Sequence, residues 1–318
     1  VAELASPLPG FRAIHLNASN FGNAGSDIVQ ELAFGVSMGV EYLAQLIQRG
    51  LKTDNAASKI RFSFGIGPDY FPEIAKLRAA RLLWSAAVTG FKPENTDSAK
   101  MEIHSVTAKW NKSVTDPYIN MLRTQTEAMS AILGGTDSLT VEPCDIVFRQ
   151  PDDFSERIAR NQQLILKEES YFDKVADPGA GSYYIEKLTY LIAENAWKLF
   201  LEIEENGGFM ESLKKGLIHD KIRKSAVNLE KTNSGPVIVF PELIPDPESK
   251  EQETPEVKRP VFRRDDLQNL PLQKTDFHKW EKSKHIEKNW ITSEQIPVKG
   301  VYGRDDLEGM EHLGYAAG

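Results

Sequence analysis

Two hydrophobic rhythms alternate along the chain. Residues 11–17, Phe-Arg-Ala-Ile-His-Leu-Asn, switch between apolar and polar positions as a strand does. Residues 24–50 then place Ile28, Leu32, Val36, Val40 and Leu43 at three- and four-residue spacing, which predicts a long helix stopped by Gly50. The pair of rhythms recurs. Strand-like runs are expected at 60–66, 101–107 and 137–142. Helices are expected at 71–90, from Asp116-Pro117 to Gly134-Gly135, and at 153–169.

Strands alternating with helices imply βα units and a parallel sheet. Four units in a row leave two architectures, a doubly wound sheet or part of an eight-fold barrel. No Gly-x-Gly-x-x-Gly follows the first strand, which disfavours a dinucleotide-binding fold, and Gly65-Ile66-Gly67 is too short a signal to change that. After residue 184 the strand rhythm stops, and helices are expected to about 230. Residues 241–260 contain Pro241, Pro245, Pro247, Pro255 and Pro260, the composition of an extended, poorly packed linker. Residues 261–318 are polar with little periodicity and read as an arm.

Composition narrows the class. Of 318 residues, 41% are hydrophobic and 26% charged, enough to bury a core. A net charge of −8 argues against a nucleic-acid binder. Cys144 is the only cysteine, so no internal disulfide framework exists, and a reducing, cytoplasmic setting is expected. No run approaches the roughly 18 apolar residues of a membrane span. The chain starts at Val1 without a methionine, which reads as a piece of a longer polypeptide or a processed product.

Chemistry-bearing residues are sparse. His104 sits in a strand-like run and could face a ligand at a barrel rim, but an ordinary hydrogen-bonded histidine is the first reading. Asp276-Phe-His278 is reminiscent of a metal or cobalamin ligand, yet Glu281 stands where such a motif needs glycine. His15, His219, His285 and His312 have no ligand spacing with one another or with Cys144, so no metal site is expected. Glu168-Glu169 and the Glu202/Glu204-Glu205 group read as solvated helix faces.

Several runs together resemble the methylmalonyl-CoA mutase family. They are Phe62-Ser-Phe-Gly-Ile-Gly67, Glu73 through Trp84, Asp116-Pro-Tyr-Ile-Asn120, Arg123-Thr with Glu127-Ala-Met, Gly134 through Leu139, Arg157 through Asn161, Glu168-Glu-Ser170, and Lys174 through Tyr183. Their order and spacing agree with the family across about 11–230. The resemblance implies the carboxyl-terminal half of a TIM-type (β/α)8 barrel, followed by helices and an extended arm. It implies an isomerase that interconverts succinyl-CoA and methylmalonyl-CoA by adenosylcobalamin radical chemistry, with the CoA tail threaded through the barrel.

The residues that carry the family's chemistry have drifted here. Where the catalytic chain has Gly-Tyr-His-Met-Gln-Glu-Ala-Gly, this sequence has Ala18-Ser-Asn-Phe-Gly-Asn-Ala-Gly25. Asn20 stands at the histidine that meets the substrate carbonyl, and Asn23 at the glutamate beside the corrin. Asparagine donates hydrogen bonds but is no acid. The family's Gly-Trp is Lys109-Trp110, its corrin-side Glu-Ala is Ile146-Val147, and its CoA-meeting Arg-Leu-Ser is Lys59-Ile60-Arg61. By resemblance, Asn20, Asn23, Lys59, Arg61 and Trp110 face substrate or cofactor, and no residue is catalytic.

This pattern is similar to the family's small, non-catalytic subunit. The implied partner is a large catalytic subunit in a heterodimer, which would hold the acyl-CoA and the adenosylcobalamin; this chain would bind no cofactor, metal, nucleic acid or membrane. Residues 288–299 and 301–318 resemble the large subunit's amino-terminal arm, which implies a small–large fusion or read-through product. The expected organisation is a partial barrel at 1–184, connecting helices at 185–240, a linker at 241–262 and the arm at 263–318. A catalytically active acyl-CoA mutase of altered specificity is the alternative.

Overall fold

The computed structural model describes residues 11–232 and 257–270, with backbone alone for 231–232, 289–291 and 297–299. Four strands form one parallel sheet in sequence order: β1 (Ile14–Asn17), β2 (Ile60–Ile66), β3 (Glu102–Thr107) and β4 (Ser138–Thr140). Sequential order with parallel pairing is the arrangement of consecutive barrel units. The expected barrel part therefore stands, and a doubly wound sheet does not.

The crossovers fall close to their sequence signals. Helix α2 (Ile28–Gln48) starts where the Asp27 side chain accepts a hydrogen bond from the Gln30 amide. The predicted start at residue 24 was too early. Gly25 takes φ +99°, which separates α2 from a short helix α1 (Ser19–Asn23) that periodicity did not reveal. After α3 (Thr53–Ala57), helix α4 (Tyr70–Gly90) follows β2, α5 (Ile119–Leu133) follows β3, and α6 (Asp153–Glu168) follows β4.

Register divides the sheet into two faces. Leu16, Phe62 and Ile103 stand level across β1, β2 and β3, and all three are buried beneath helices. Phe62 meets Trp84 edge-on at 4.8 Å. Gly39 lets α2 approach this layer: a Cβ there would lie 2.6 Å from Phe62 and 2.8 Å from Trp84. The opposite face carries the row Asn17, Ser63, His104 and Ser138. A closed barrel usually fills its centre with Val, Ile and Leu. Here that face is polar.

The segment expected only to connect is part of the same core. Helix α7 (Tyr183–Glu205) packs on α2 and α4, burying Ala193, Ala196, Trp197, Phe200 and Ile203. Helices α8 (Phe209–Lys214) and α9 (Leu217–Thr232) continue it. Residues 257–270 then lie along this body, with Arg259 and Phe262 inserted. The expectation of a poorly packed linker therefore fails at 257–260, because Arg259 finds two carboxylates there. Most of that linker lies outside the described residues, as do Asp276, His278, His285 and His312. In the arm, strands β5 (Asn289–Ile291) and β6 (Pro297–Lys299) form an antiparallel pair.

Candidate functional site

The carboxyl-terminal ends of β1, β2 and β3 meet α1 and the start of α2. Loops at this rim are where parallel barrels place their chemistry. Asn17 ends β1, and its amide donates to Asn20 Oδ1 at 3.2 Å while its carbonyl accepts from Ser19 Oγ at 2.6 Å. Asn23 is buried, and its Oδ1 accepts from the Lys109 amide at 2.8 Å. Thus Asn23 ties α1 to the loop after β3. Trp110 stands over Gly67, its ring 3.2 Å from where a Cβ would be. Lys109 Nζ lies 3.3 Å from Glu142 in the loop after β4.

Beneath these residues is a cavity of about 240 Å³, lined by Asn23, Gly65, Gly67 and Trp110 among others. Its floor is a buried charge cluster. Lys76 donates to Glu31 Oε2 at 2.9 Å, bonds the Gly65 carbonyl, and lies 2.5 Å from Glu73. Glu31 accepts from the Gly65 amide at 2.7 Å and Glu73 from the Gly67 amide at 3.0 Å. Burial raises the Glu31 carboxyl above its ordinary range. Burial pulls Lys76 down, but Glu31 and Glu73 outweigh it and leave the ammonium raised. The cluster ties α2 and α4 to the end of β2.

A second buried pair anchors the loop after β3. Lys112 donates to both Glu127 oxygens at 2.7 Å, and Asn111 adds a bond at 2.7 Å. Burial lowers Lys112 and raises Glu127. Sequence reasoning missed both clusters. The available signal was a charge set within a buried helix stripe, as at Lys76 between Ala75 and Leu77.

Lys59 and Arg61 lie at the other end of β2. Lys59 is buried just before the strand. Arg61 bonds Ser138 Oγ and pairs with Glu102 at 3.4 Å, and Glu102 also meets Arg12 at 2.5 Å. Seven residues of β2, at about 3.3 Å each, put this end roughly 20 Å from the rim. The five residues singled out by resemblance therefore form two groups: Asn20, Asn23 and Trp110 above, Lys59 and Arg61 below.

His104 lies between them on the polar face. It bonds Ser138 Oγ at 2.7 Å and Thr140 Oγ1 at 3.1 Å, in keeping with the ordinary reading. His15 bonds Ser63 Oγ at 2.5 Å and meets the His104 ring edge-on at 6.1 Å. Burial, then the nearby Arg61 charge, lowers both imidazoles, so both are neutral at pH 7. Among the described residues no group of His, Cys, Asp or Glu could hold a metal ion. No described helix is long and apolar enough to cross a membrane.

Comparison with known proteins agrees with this arrangement. The family model for methylmalonyl-CoA mutase matches residues 3–281. The methylmalonyl-CoA mutase small subunit of Porphyromonas gingivalis is 50% identical over 228 residues, covering 71% of this chain and 37% of that protein. The methylmalonyl-CoA mutase of Rhizobium meliloti is 45% identical over 222 residues, 70% of this chain and 31% of that one. The methylmalonyl-CoA mutase large subunit of Propionibacterium freudenreichii is 38% identical over 229 residues, 72% and 32%. The match spans about a third of the length of each of these relatives. The parallel sheet, the motif order and the family match lead to one identification: this chain belongs to the methylmalonyl-CoA mutase family.

Proposed function

We propose that this chain is the non-catalytic, small-subunit part of an adenosylcobalamin-dependent methylmalonyl-CoA mutase. It supports a large catalytic subunit in a heterodimer, where succinyl-CoA and methylmalonyl-CoA are interconverted in the cytoplasm. The observation that carries this reading is the state of the two asparagines at the rim. Asn20 stands at the family's catalytic histidine and accepts from Asn17, while Asn23 stands at the corrin-side glutamate and accepts from the Lys109 amide. Neither is an acid or a base.

The rim residues do not fit a corrin. Lys109 reaches Glu142 where the family has a glycine, and a lysine there would crowd a flat macrocycle. No chemical step is assigned to the cofactor in this chain. Arg61 already meets Glu102 and Ser138, so its charge is answered within the protein. The small-subunit name of the Porphyromonas gingivalis relative supports the same reading.

Mixing the chain with adenosylcobalamin and recording the corrin absorption tests it. The expected result is the spectrum of free cofactor, with no acyl-CoA turnover by the chain alone and turnover when a large subunit is supplied. A base-off, histidine-ligated spectrum, or turnover without a large subunit, would overturn it in favour of an active mutase of altered specificity.

A further inference from the structure

Residues 257–270 occupy a groove whose walls come from α2, α4 and α7. Three features show that the groove is shaped for them. First, Arg259 meets two carboxylates from different helices. Its Nη1 lies 3.2 and 3.3 Å from the Glu204 oxygens, and its Nη2 bonds Glu41 Oε2. Glu41 is buried, also accepting from Gln45 at 3.0 Å, and burial raises Glu204 despite the arginine. Without a guanidinium, two carboxylates would stand together out of water, which is costly.

Second, two glycines leave the room. Gly208, at φ +87°, abuts the Arg259 guanidinium so closely that any Cβ would overlap it. At Gly90, a Cβ would lie 2.8 Å from the Phe262 ring and 3.5 Å from Pro260. Third, an aromatic box receives Phe262, with Phe200 at 5.1 Å and Phe91 and Trp197 at 6.1 Å. Trp197 Nε1 then donates to the Arg263 carbonyl at 2.9 Å, fixing the register of the segment.

These contacts select an arginine followed three residues later by an aromatic ring. All come from residues 259–263, and residues 233–256 separate that segment from the end of α9. Recognition is thus built into the short segment itself. We propose that the groove is a peptide-recognition site of Arg-x-x-Phe specificity whose occupant is the chain's own segment 259–263. The paired carboxylates set the charge of the ligand, and the aromatic box sets its hydrophobic anchor.

The test uses the full chain carrying Arg259→Ala and Phe262→Ala, which vacates the groove, and a synthetic peptide of residues 257–270. The peptide is expected to bind one to one, and about ten-fold or more weakly when it carries Arg259→Ala or Phe262→Ala, as for central anchor residues. Wild-type chain, with its groove filled, is expected to bind it at least about ten-fold more weakly than the vacated chain. A vacated chain with native near-ultraviolet circular dichroism that binds no peptide, or binds the Arg259→Ala peptide equally, overturns the proposal.

If the double variant fails to fold, a protease site placed within residues 233–256 of the otherwise wild-type chain supplies the second arm. After cleavage the carboxyl-terminal fragment should be displaced by excess wild-type peptide and not by the Arg259→Ala peptide. Displacement by both, or by neither, overturns the proposal.

Discussion

Glu31 and Lys76 come from different helices and meet at 2.9 Å beneath the strand ends, with side chains 4% and 1% exposed. Glu73 joins them on the same ammonium. Removing the lysine leaves two carboxylates buried without a counter-charge. Lys76→Met is expected to cost about 3–5 kcal/mol, the range for breaking a buried pair from one side. Urea unfolding of the variant against wild type measures this, and a loss under about 1 kcal/mol would show that water reaches the cluster.

Lys112 and Glu127 give the contrasting case. Both are fully buried and bonded mainly to each other and to Asn111. The double change Lys112→Met with Glu127→Met is expected to be nearly neutral, within about 1–2 kcal/mol, while either change alone costs about 3–5. A double-mutant cycle by chemical denaturation gives the coupling directly. Additive losses would contradict the pairing.

Asn23 illustrates a polar side chain spent on architecture. Replacing it with alanine leaves the Lys109 amide without its partner. The expected loss is about 1–3 kcal/mol. The amide of Lys109 should also exchange faster with solvent, which hydrogen-exchange mass spectrometry reads locally.

The two histidines give the fold a pH dependence. His15 and His104 titrate below their ordinary value of 6.5, chiefly from burial. The unfolded chain therefore binds protons that the folded chain refuses. Stability from this source is complete above pH 6.5 and is lost as pH falls from there through the lower folded values. His104→Gln should flatten the slope of unfolding free energy against pH between about 7 and 5. Equal slopes in variant and wild type would remove His104 as a cause.

Gly39 sets how close α2 comes to the sheet. Gly39→Ala is expected to cost about 1–3 kcal/mol by overpacking against Phe62 and Trp84. The near-ultraviolet signal of Trp84 should change with it.

Much of this fold was legible in the chain. The βα rhythm located the four strands of the parallel sheet, though not β5 and β6, because alternation along 60–66 and helical spacing along 71–90 are local properties. The start of α2 was misjudged because Gly25 breaks the helix where hydrophobic spacing does not. The role of α7 was hidden because an apolar stripe does not say which body it covers. The docking of Arg259 was hidden for a related reason: its two partners lie far away in sequence, at Glu41 and Glu204. At the site, resemblance marked Asn20, Asn23, Lys59, Arg61 and Trp110. It did not reveal that they stand at opposite ends of β2, nor that Lys76 and Lys112 are buried beside them.

The row Asn17, Ser63, His104 and Ser138 has a consequence for how such a chain comes into being. A sheet that is oily on both faces must be covered on both before it is safe in water. This one needs its helices on one side only, because the other is already wetted by amides, hydroxyls and imidazoles. The four strands and their covering helices can therefore hold together as a wall with nothing laid over the polar face, leaving chiefly the rims of β1 and β4, unpaired among the described residues, to be protected.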